Sequence, residues 1–319
     1  MIRIATVGTS VITDAFIGAA TRTPGIEVAA VSSRDGAKAR AYADRLGVAG
    51  AFAGLDAVLA DPGIDAVYIG SPNSAHRPQV AAAIAAGKHV LVEKPAVATA
   101  DEWDDLVERS RRAGVVMIEA MRTAYDPGIA AVRELLGSLG VLRRASLHYA
   151  KRSSRYDAVL AGETPNIFDP AMGGGALADL GVYGVHAAVL LFGEPVGITA
   201  SSVTIATGAD GAGLAVLQYP GLIVDVGYSK ITTAARPSEI QGEDATLLID
   251  HLASPRRVTR IGSDGSESEW ASDAPADVLD GEVARFVELV GGTAMPDEDQ
   301  ARTSATLRTL ERIRRATAG

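Results

Sequence analysis

Over the first 120 residues, strand-like and helix-like patterns alternate with short connections, and that alternation restricts the chain to few architectures. Strand-like runs fall at 2–7, 27–32, 65–70, 89–93 and 115–118, with helical patterns at 11–22, 36–46, 75–86 and 100–113 between them. Asp61-Pro62-Gly63 and Gly87 punctuate the series. Parallel strands joined by helical crossovers make a doubly wound sheet. Such a sheet binds ligands outside the carboxyl ends of its strands. Chemistry is therefore sought where the strands stop.

The run His89-Val90-Leu91-Val92-Glu93-Lys94-Pro95 reads as a buried strand that ends at a proline, which cannot donate to a ladder. Glu93 and Lys94 then sit at the lip of the sheet, facing a site. The first strand-to-helix turn is Gly8-Thr9-Ser10-Val11-Ile12-Thr13. Gly8 permits a tight turn and the helix start offers amides to an anion, although Ser10 and Thr13 stand where a G-x-G-x-x-G fingerprint has glycines. After the second strand come Ser33, Arg34, Asp35 and Lys38. Serine and arginine suit a ribose 2′-phosphate, whereas a carboxylate such as Asp35 would suit the free hydroxyl. A further strand runs into Ser71-Pro72-Asn73, with His76 beyond a helix cap at Ser74, and His76 is expected to line the cofactor.

The alternation stops around Glu119–Pro127, which divides the chain into domains at 1–120 and 121–319. Beyond it come a helix at 127–139, a strand at 145–150, and an irregular stretch with Arg152, Arg155, Tyr156 and Asn166. Gly173-Gly174-Gly175 opens a helical pattern that continues to Phe192, and a period of 3.6 places Asp179, Tyr183 and His186 on one narrow arc. Strand patterns follow at 198–206, 214–219, 222–230, 239–241 and 245–249, then helices at 276–290 and 297–316. An antiparallel meander in an α+β domain is the expectation. The density of Val, Ile, Leu and Tyr on both faces of 214–230 predicts an exposed apolar sheet face that pairs chains into a homodimer or higher homo-oligomer.

Charge and composition narrow the partners. With 30 Lys and Arg against 39 Asp and Glu, the net charge of −9 argues against nucleic acid or an anionic membrane. The absence of cysteine removes disulfides, thiolate metal sites and cysteine nucleophiles. Met1 leads at once into a strand pattern, leaving no room for a signal peptide, and no uninterrupted apolar run is expected to reach membrane-spanning length. The sequence thus predicts a cytoplasmic protein.

Four pieces occur together in order: Glu93-Lys94-Pro95, the Ser71-Pro72-Asn73 to His76 turn, Glu119-Ala120-Met121-Arg122, and the triple-glycine helix from Gly173 to His186. In these the chain resembles the Gfo/Idh/MocA oxidoreductases over roughly its first 195 residues. The resemblance implies an N-terminal Rossmann domain for NAD(P), a C-terminal domain on an open, mostly antiparallel sheet, and hydride transfer on sugars, polyols or related alcohols. It makes Lys94 the catalytic lysine and Asp179 its acidic partner. By their place in the chain, Arg122, Tyr156, Asn166 and His186 are expected toward substrate, with Arg122 also toward the cofactor. Where members of the inositol type carry His and Asp, this chain has Tyr183 and His186, so it looks more like the glucose-fructose oxidoreductase and dihydrodiol dehydrogenase branch. NADP(H) is expected in preference to NAD(H).

Elementary chemistry agrees with that implication. Hydride leaves a carbinol carbon only as the hydroxyl proton departs, and a lysine ammonium at the strand lip stabilises the developing negative charge on oxygen. A nearby cation favours a tyrosine phenolate, so Lys94 with Tyr183 is a workable acid/base pair. His186 shares the arc and competes with Tyr183 for the proton. The alternative reading is a non-catalytic NAD(P)-binding sensor, which would not require Lys94, Asp179 and Tyr183 together.

Overall fold

The structure, a computed structural model, describes residues 1–273 and 279–317. Two units divide the chain: Met1–Met121 with Val278–Ser304, and Arg122–Asp277 with Ala305–Gly319.

The first unit runs β1 (Ile2–Val7), α1 (Val11–Arg22), β2 (Ile26–Ser33), α2 (Gly36–Leu46), β3 (Gly50–Ala53), α3 (Leu55–Leu59), β4 (Ala66–Ile69), α4 (His76–Ala85), β5 (His89–Glu93), α5 (Ala100–Ala113) and β6 (Met117–Ala120). All its strand pairs are parallel, in the order β3-β2-β1-β4-β5-β6. The order reverses between β1 and β4, which opens a crevice at their carboxyl ends. The strands are apolar runs because both faces are covered: Val67, Tyr68, Val90, Leu91 and Val92 are fully buried. The phenol ring of Tyr68 stacks on Phe16 of α1 at a centroid distance of 3.8 Å. β3 and α3 went unread in the sequence, since Gly-Ala-Phe-Ala is short and lacks the β-branched residues that mark a strand.

The second unit contains α6 (Pro127–Leu136), β7 (Leu142–Ala150), α7 (Tyr156–Leu160), a π-helical turn at Leu177–Gly181, α8 (Val182–Phe192), β8 (Gly197–Thr204), β9 (Asp210–Tyr219), β10 (Leu222–Ser229), β11 (Ser238–Gly242), β12 (Ala245–Ile249), β13 (Arg257–Gly262) and β14 (Glu267–Ala271). Its eight-stranded sheet has the order β14-β13-β12-β11-β7-β10-β9-β8. The expected meander holds in two runs, β8 to β10 and β11 to β14. Between them lies β7, which pairs parallel with β10 and antiparallel with β11. One sheet face is the core, with Ala145, Leu147, Val224, Val226, Ile240 and Leu247 fully buried, and Gly184 lets α8 close on Val226. The opposite face is mixed and not uniformly apolar as expected. Val203, Leu214 and Ile223 are exposed there, but Arg144 and Ser146 bond Asp225 at 3.1 and 2.6 Å between them.

The chain closes with α9 (Asp280–Val290) and α10 (Asp297–Thr317). The expected start of the first of these at Ala276 lies outside the described residues. Val283, Phe286 and Leu289 of α9 join the core formed by Phe16, Ile17 and Ile26, so this segment belongs with the first unit although a single cut at 120 assigned it to the second. Burying that apolar face outweighs proximity in sequence. Pro170–Phe192 has the length and mean hydropathy of a membrane span although Asp179 and His186 interrupt it, and 78% of its most apolar stretch is buried, as in a core helix.

Candidate active site

At the switch point the backbone itself forms a cradle. Gly8 has φ +118°, and a Cβ there would lie 2.6 Å from the carbonyl oxygen of Gly70, so only glycine lets the turns after β1 and β4 meet. Ser10 caps α1, and its hydroxyl lies 3.3 Å from that of the buried Thr13. The two residues that replace glycines thus secure the helix start. Thr9 and Ile12 are half-buried there and Val11 is exposed, leaving the helix N-terminus open for an anion such as a pyrophosphate. The cradle fits a dinucleotide.

After β2, Ser33 is half-buried while Arg34 and Lys38 are exposed. Asp35 is the cap of α2: its Oδ1 accepts from the amides of Ala37 at 2.9 Å and Lys38 at 3.1 Å. One oxygen of this carboxylate is thus engaged by the start of the helix.

Pro72 is exposed and Asn73 begins a short 3-10 turn, while the hydroxyl of Ser71 bonds Gln79 at 2.6 Å. His76 does not line a ligand surface as expected. Its side chain is fully buried, with Nδ1 3.1 Å from the Pro95 carbonyl and Nε2 2.9 Å from that of Ser71. Burial lowers its pKa, against the raising effect of these carbonyls. The ring clips the turn after β4 to the turn after β5.

That second turn carries Lys94, half-buried. Glu93 is buried, its carboxylate accepting from the Tyr68 hydroxyl at 2.6 Å and the Lys94 amide at 3.2 Å. Glu119, also buried, accepts from the Ala96 amide at 2.9 Å and from the hydroxyl of Thr303 at 3.2 Å. Burial is the main cause that pushes the Glu119 pKa up to about 7, and the charge of Glu93 adds to it, while Ala96, Thr303 and Lys94 act in the other direction. Glu93, Glu119 and His76 therefore fix the backbone on both sides of Lys94. Thr303, almost two hundred residues downstream, gave no sign of this role in the sequence.

In the second unit, Gly175 has φ +135° and a Cβ there would collide with the Asp210 carboxylate, which accepts from the Leu177 amide at 2.7 Å. The turn that follows is π-helical and not the continuous α-helix expected, so the 3.6-residue arc does not hold across Asp179. The Asp179 side chain keeps 36% of its exposure and pairs with the buried Lys230. Tyr183 is 7% exposed, with the Arg122 guanidinium 5.2 Å from its ring centroid and the Tyr149 ring at 5.5 Å. His251 meets Tyr149 edge-on at 4.8 Å. His186 is 1% exposed, a core residue. Tyr156 packs at 5.9 Å from Phe168 and carries Arg152 over its ring, whereas Asn166 lies exposed in the short turn Asn166–Phe168.

The sequence reading missed Lys230, Tyr149, Phe168 and His251. Lys230 left a weaker signal, a lysine that closes a strand pattern as Lys94 does but with Asp225 inside the run and no proline after it.

Residues 2–121 match the oxidoreductase family with NAD-binding Rossmann fold, and residues 129–248 match the GFO/IDH/MocA C-terminal domain. The chain is 36% identical over 317 residues to scyllo-inositol 2-dehydrogenase (NADP(+)) of Bacillus subtilis, an alignment covering 99% of this chain and 97% of that one. It is 32% identical over 294 residues to D-xylose 1-dehydrogenase (NADP(+)) 2 of Haloferax volcanii, covering 90% and 88%. In fold it is similar to KijD10, a 3-ketoreductase from Actinomadura kijaniata solved with NADP and TDP-benzene, at TM-score 0.87 and 24% identity over 99% and 98% of the two chains.

Proposed function

Because this chain belongs to the Gfo/Idh/MocA oxidoreductase family, we propose that it transfers hydride between NADP(H) and a CH–OH or C=O group of a sugar, polyol or related small alcohol. The observation that carries the reading is the bracing of Lys94. Three buried side chains, Glu93, His76 and Glu119, hold the backbone around one half-buried lysine at the carboxyl end of a parallel strand. A sensor needs no such rigidity at an ammonium, whereas stabilising charge on a reacting oxygen does.

Gly8, Thr9, Ser10, Val11 and Ile12 would hold the pyrophosphate against the start of α1, with Ser71, Pro72, Asn73 and Glu93 around the same crevice. When bound, the nicotinamide supplies the hydride acceptor or donor. Arg34, with Ser33 and Lys38, selects the 2′-phosphate, which the engagement of Asp35 as a helix cap supports. Lys94 hydrogen-bonds the substrate oxygen and stabilises its negative charge. Tyr183 exchanges the hydroxyl proton, and Asp179 accepts a hydrogen bond from substrate beside it; Arg122, Tyr156 and Asn166 contribute to substrate recognition. His186, at 1% exposed against 7% for Tyr183, is the more deeply buried of the two, which favours Tyr183 for the proton.

The same reading takes the protein to be cytoplasmic and a homo-oligomer. Exposure of Val203, Leu214 and Ile223 on one face of the second sheet supports self-association, and light scattering showing a monomer at micromolar concentration would contradict it. The activity is tested by mixing the purified protein with NADP+ and a panel of aldoses and cyclic polyols that includes D-xylose and scyllo-inositol. Formation of NADPH with at least one of them is expected. Tight NADPH binding with no turnover across the panel in either direction would favour the sensor.

A further inference from the structure

Lys230 follows β10 and is 4% exposed, a position at which an ammonium is rare unless partnered. Its main chain is held on both sides: the amide donates to the Gly211 carbonyl at 2.8 Å, and the carbonyl accepts from the Ser153 amide at 2.8 Å. Its Nζ pairs with Asp179 Oδ2 and stands 5.5 Å from the centroid of the Phe168 ring, within cation–π reach. The turn that carries Asp179 is equally constrained. Asp210 anchors it at Leu177, and Gly181 packs against the ring of Tyr228, two residues before Lys230. Two constrained frames therefore meet at this ion pair.

A buried pair of this kind contributes little net stability, because desolvating the ions offsets much of their attraction. What it does supply is orientation. The cation is buried, but its carboxylate partner remains over one third exposed and lies on the turn leading into Tyr183.

We propose that Lys230 is a positioning residue for the reaction: its ammonium holds the Asp179 carboxylate in one orientation, so that substrate meets a preset acceptor next to Tyr183. This rests on the proposed roles of Asp179 and Tyr183, and the experiment separates the two ideas. Turnover with NADP+ of the panel member that the wild type oxidises fastest, scyllo-inositol and D-xylose among those tried, is measured for the full chain as wild type, Lys230→Gln, Lys230→Arg, Asp179→Asn and the double variant Asp179→Asn/Lys230→Gln. Lys230→Gln should lose kcat on the order of tenfold to a hundredfold, as when a charged hydrogen-bond partner is removed, with KM for NADP+ unchanged. Lys230→Arg should recover most of that loss. The double variant should turn over like Asp179→Asn alone, since the lysine acts only through the carboxylate.

Wild-type kcat in Lys230→Gln, a folded Lys230→Arg no faster than Lys230→Gln, or a double variant much slower than Asp179→Asn would each overturn the proposal. If Lys230→Gln fails to fold, the double variant decides, because it leaves no carboxylate without its cation. Wild-type kcat in Asp179→Asn, or a wild type that turns over no member of the aldose and polyol panel in either direction, would instead remove the reading on which the proposal rests.

Discussion

The two units place their functional side chains by different means. In the first, every candidate group lies within a few residues of a strand's carboxyl end, and buried acids and a histidine fasten the adjoining backbone: Glu93 to the Lys94 amide, Glu119 to the Ala96 amide, His76 to the Pro95 carbonyl. In the second, the groups come from distant parts of the chain, and side chains hold side chains: Lys230 pairs with Asp179, Arg122 covers Tyr183, and Phe168 meets both Tyr156 and Lys230. A sheet edge supplies position almost for free, because parallel strands end together. Where helix and sheet must be brought into register, a charged contact does the work of the backbone.

Substitutions can break that contrast. The largest effect is expected for Lys94→Ala, which should lower kcat roughly 10²–10³-fold with little change in cofactor affinity if, as proposed, the ammonium acts on the reacting oxygen. Steady-state kinetics together with NADPH titration would check it, and a large loss of cofactor affinity would make Lys94 a binding group instead. Tyr183→Phe should follow, at roughly 10²-fold in kcat. His186→Ala, by contrast, should lower the melting temperature through a core cavity and leave more of the turnover intact. Collapse of activity in a folded His186→Ala beside an active Tyr183→Phe would reverse the assignment.

Arg34→Ala should weaken NADPH about tenfold and leave NADH almost unchanged, measured as the ratio of the two dissociation constants. Equal weakening would mean that Arg34 is not the selector. The smallest effect concerns pH. The Glu119 pKa is raised from 4.5 to about 7, so the protonated carboxyl stabilises the fold fully below 4.5, and that contribution is lost as pH rises through about 7. Glu119→Gln keeps an acceptor for the Ala96 amide but does not titrate. The melting temperature of the wild type relative to the variant should therefore fall across this window, by roughly a few degrees. A constant difference would mean that Glu119 stays ionised.

The contrast also explains what could be read from the sequence. Lys94, Gly8 and Ser71 were legible because strand ends and turns have local signatures, an apolar run closed by Pro95 or a glycine where φ must be positive. β14 was not, since Glu-Ser-Glu-Trp-Ala has no apolar alternation, and neither was the parallel pairing of β7 with β10, which no local pattern encodes. The π-helical turn escaped because five residues, Leu177–Gly181, are too short a stretch to distinguish a wider period from one of 3.6. His76 misled for a physical reason: a histidine beside a binding turn looks the same whether its nitrogens face a ligand or, as here, two backbone carbonyls.

Both units serve one claim, that hydride passes between a substrate carbon and the nicotinamide. The direct measurement supplies NADP+ with scyllo-inositol or D-xylose deuterated at the reacting carbinol carbon, whichever is turned over, and analyses the cofactor by mass spectrometry. The account predicts that the deuterium appears in the reduced nicotinamide and that the labelled substrate reacts more slowly. Reduced cofactor without the label, or deuterium released to water, would contradict it.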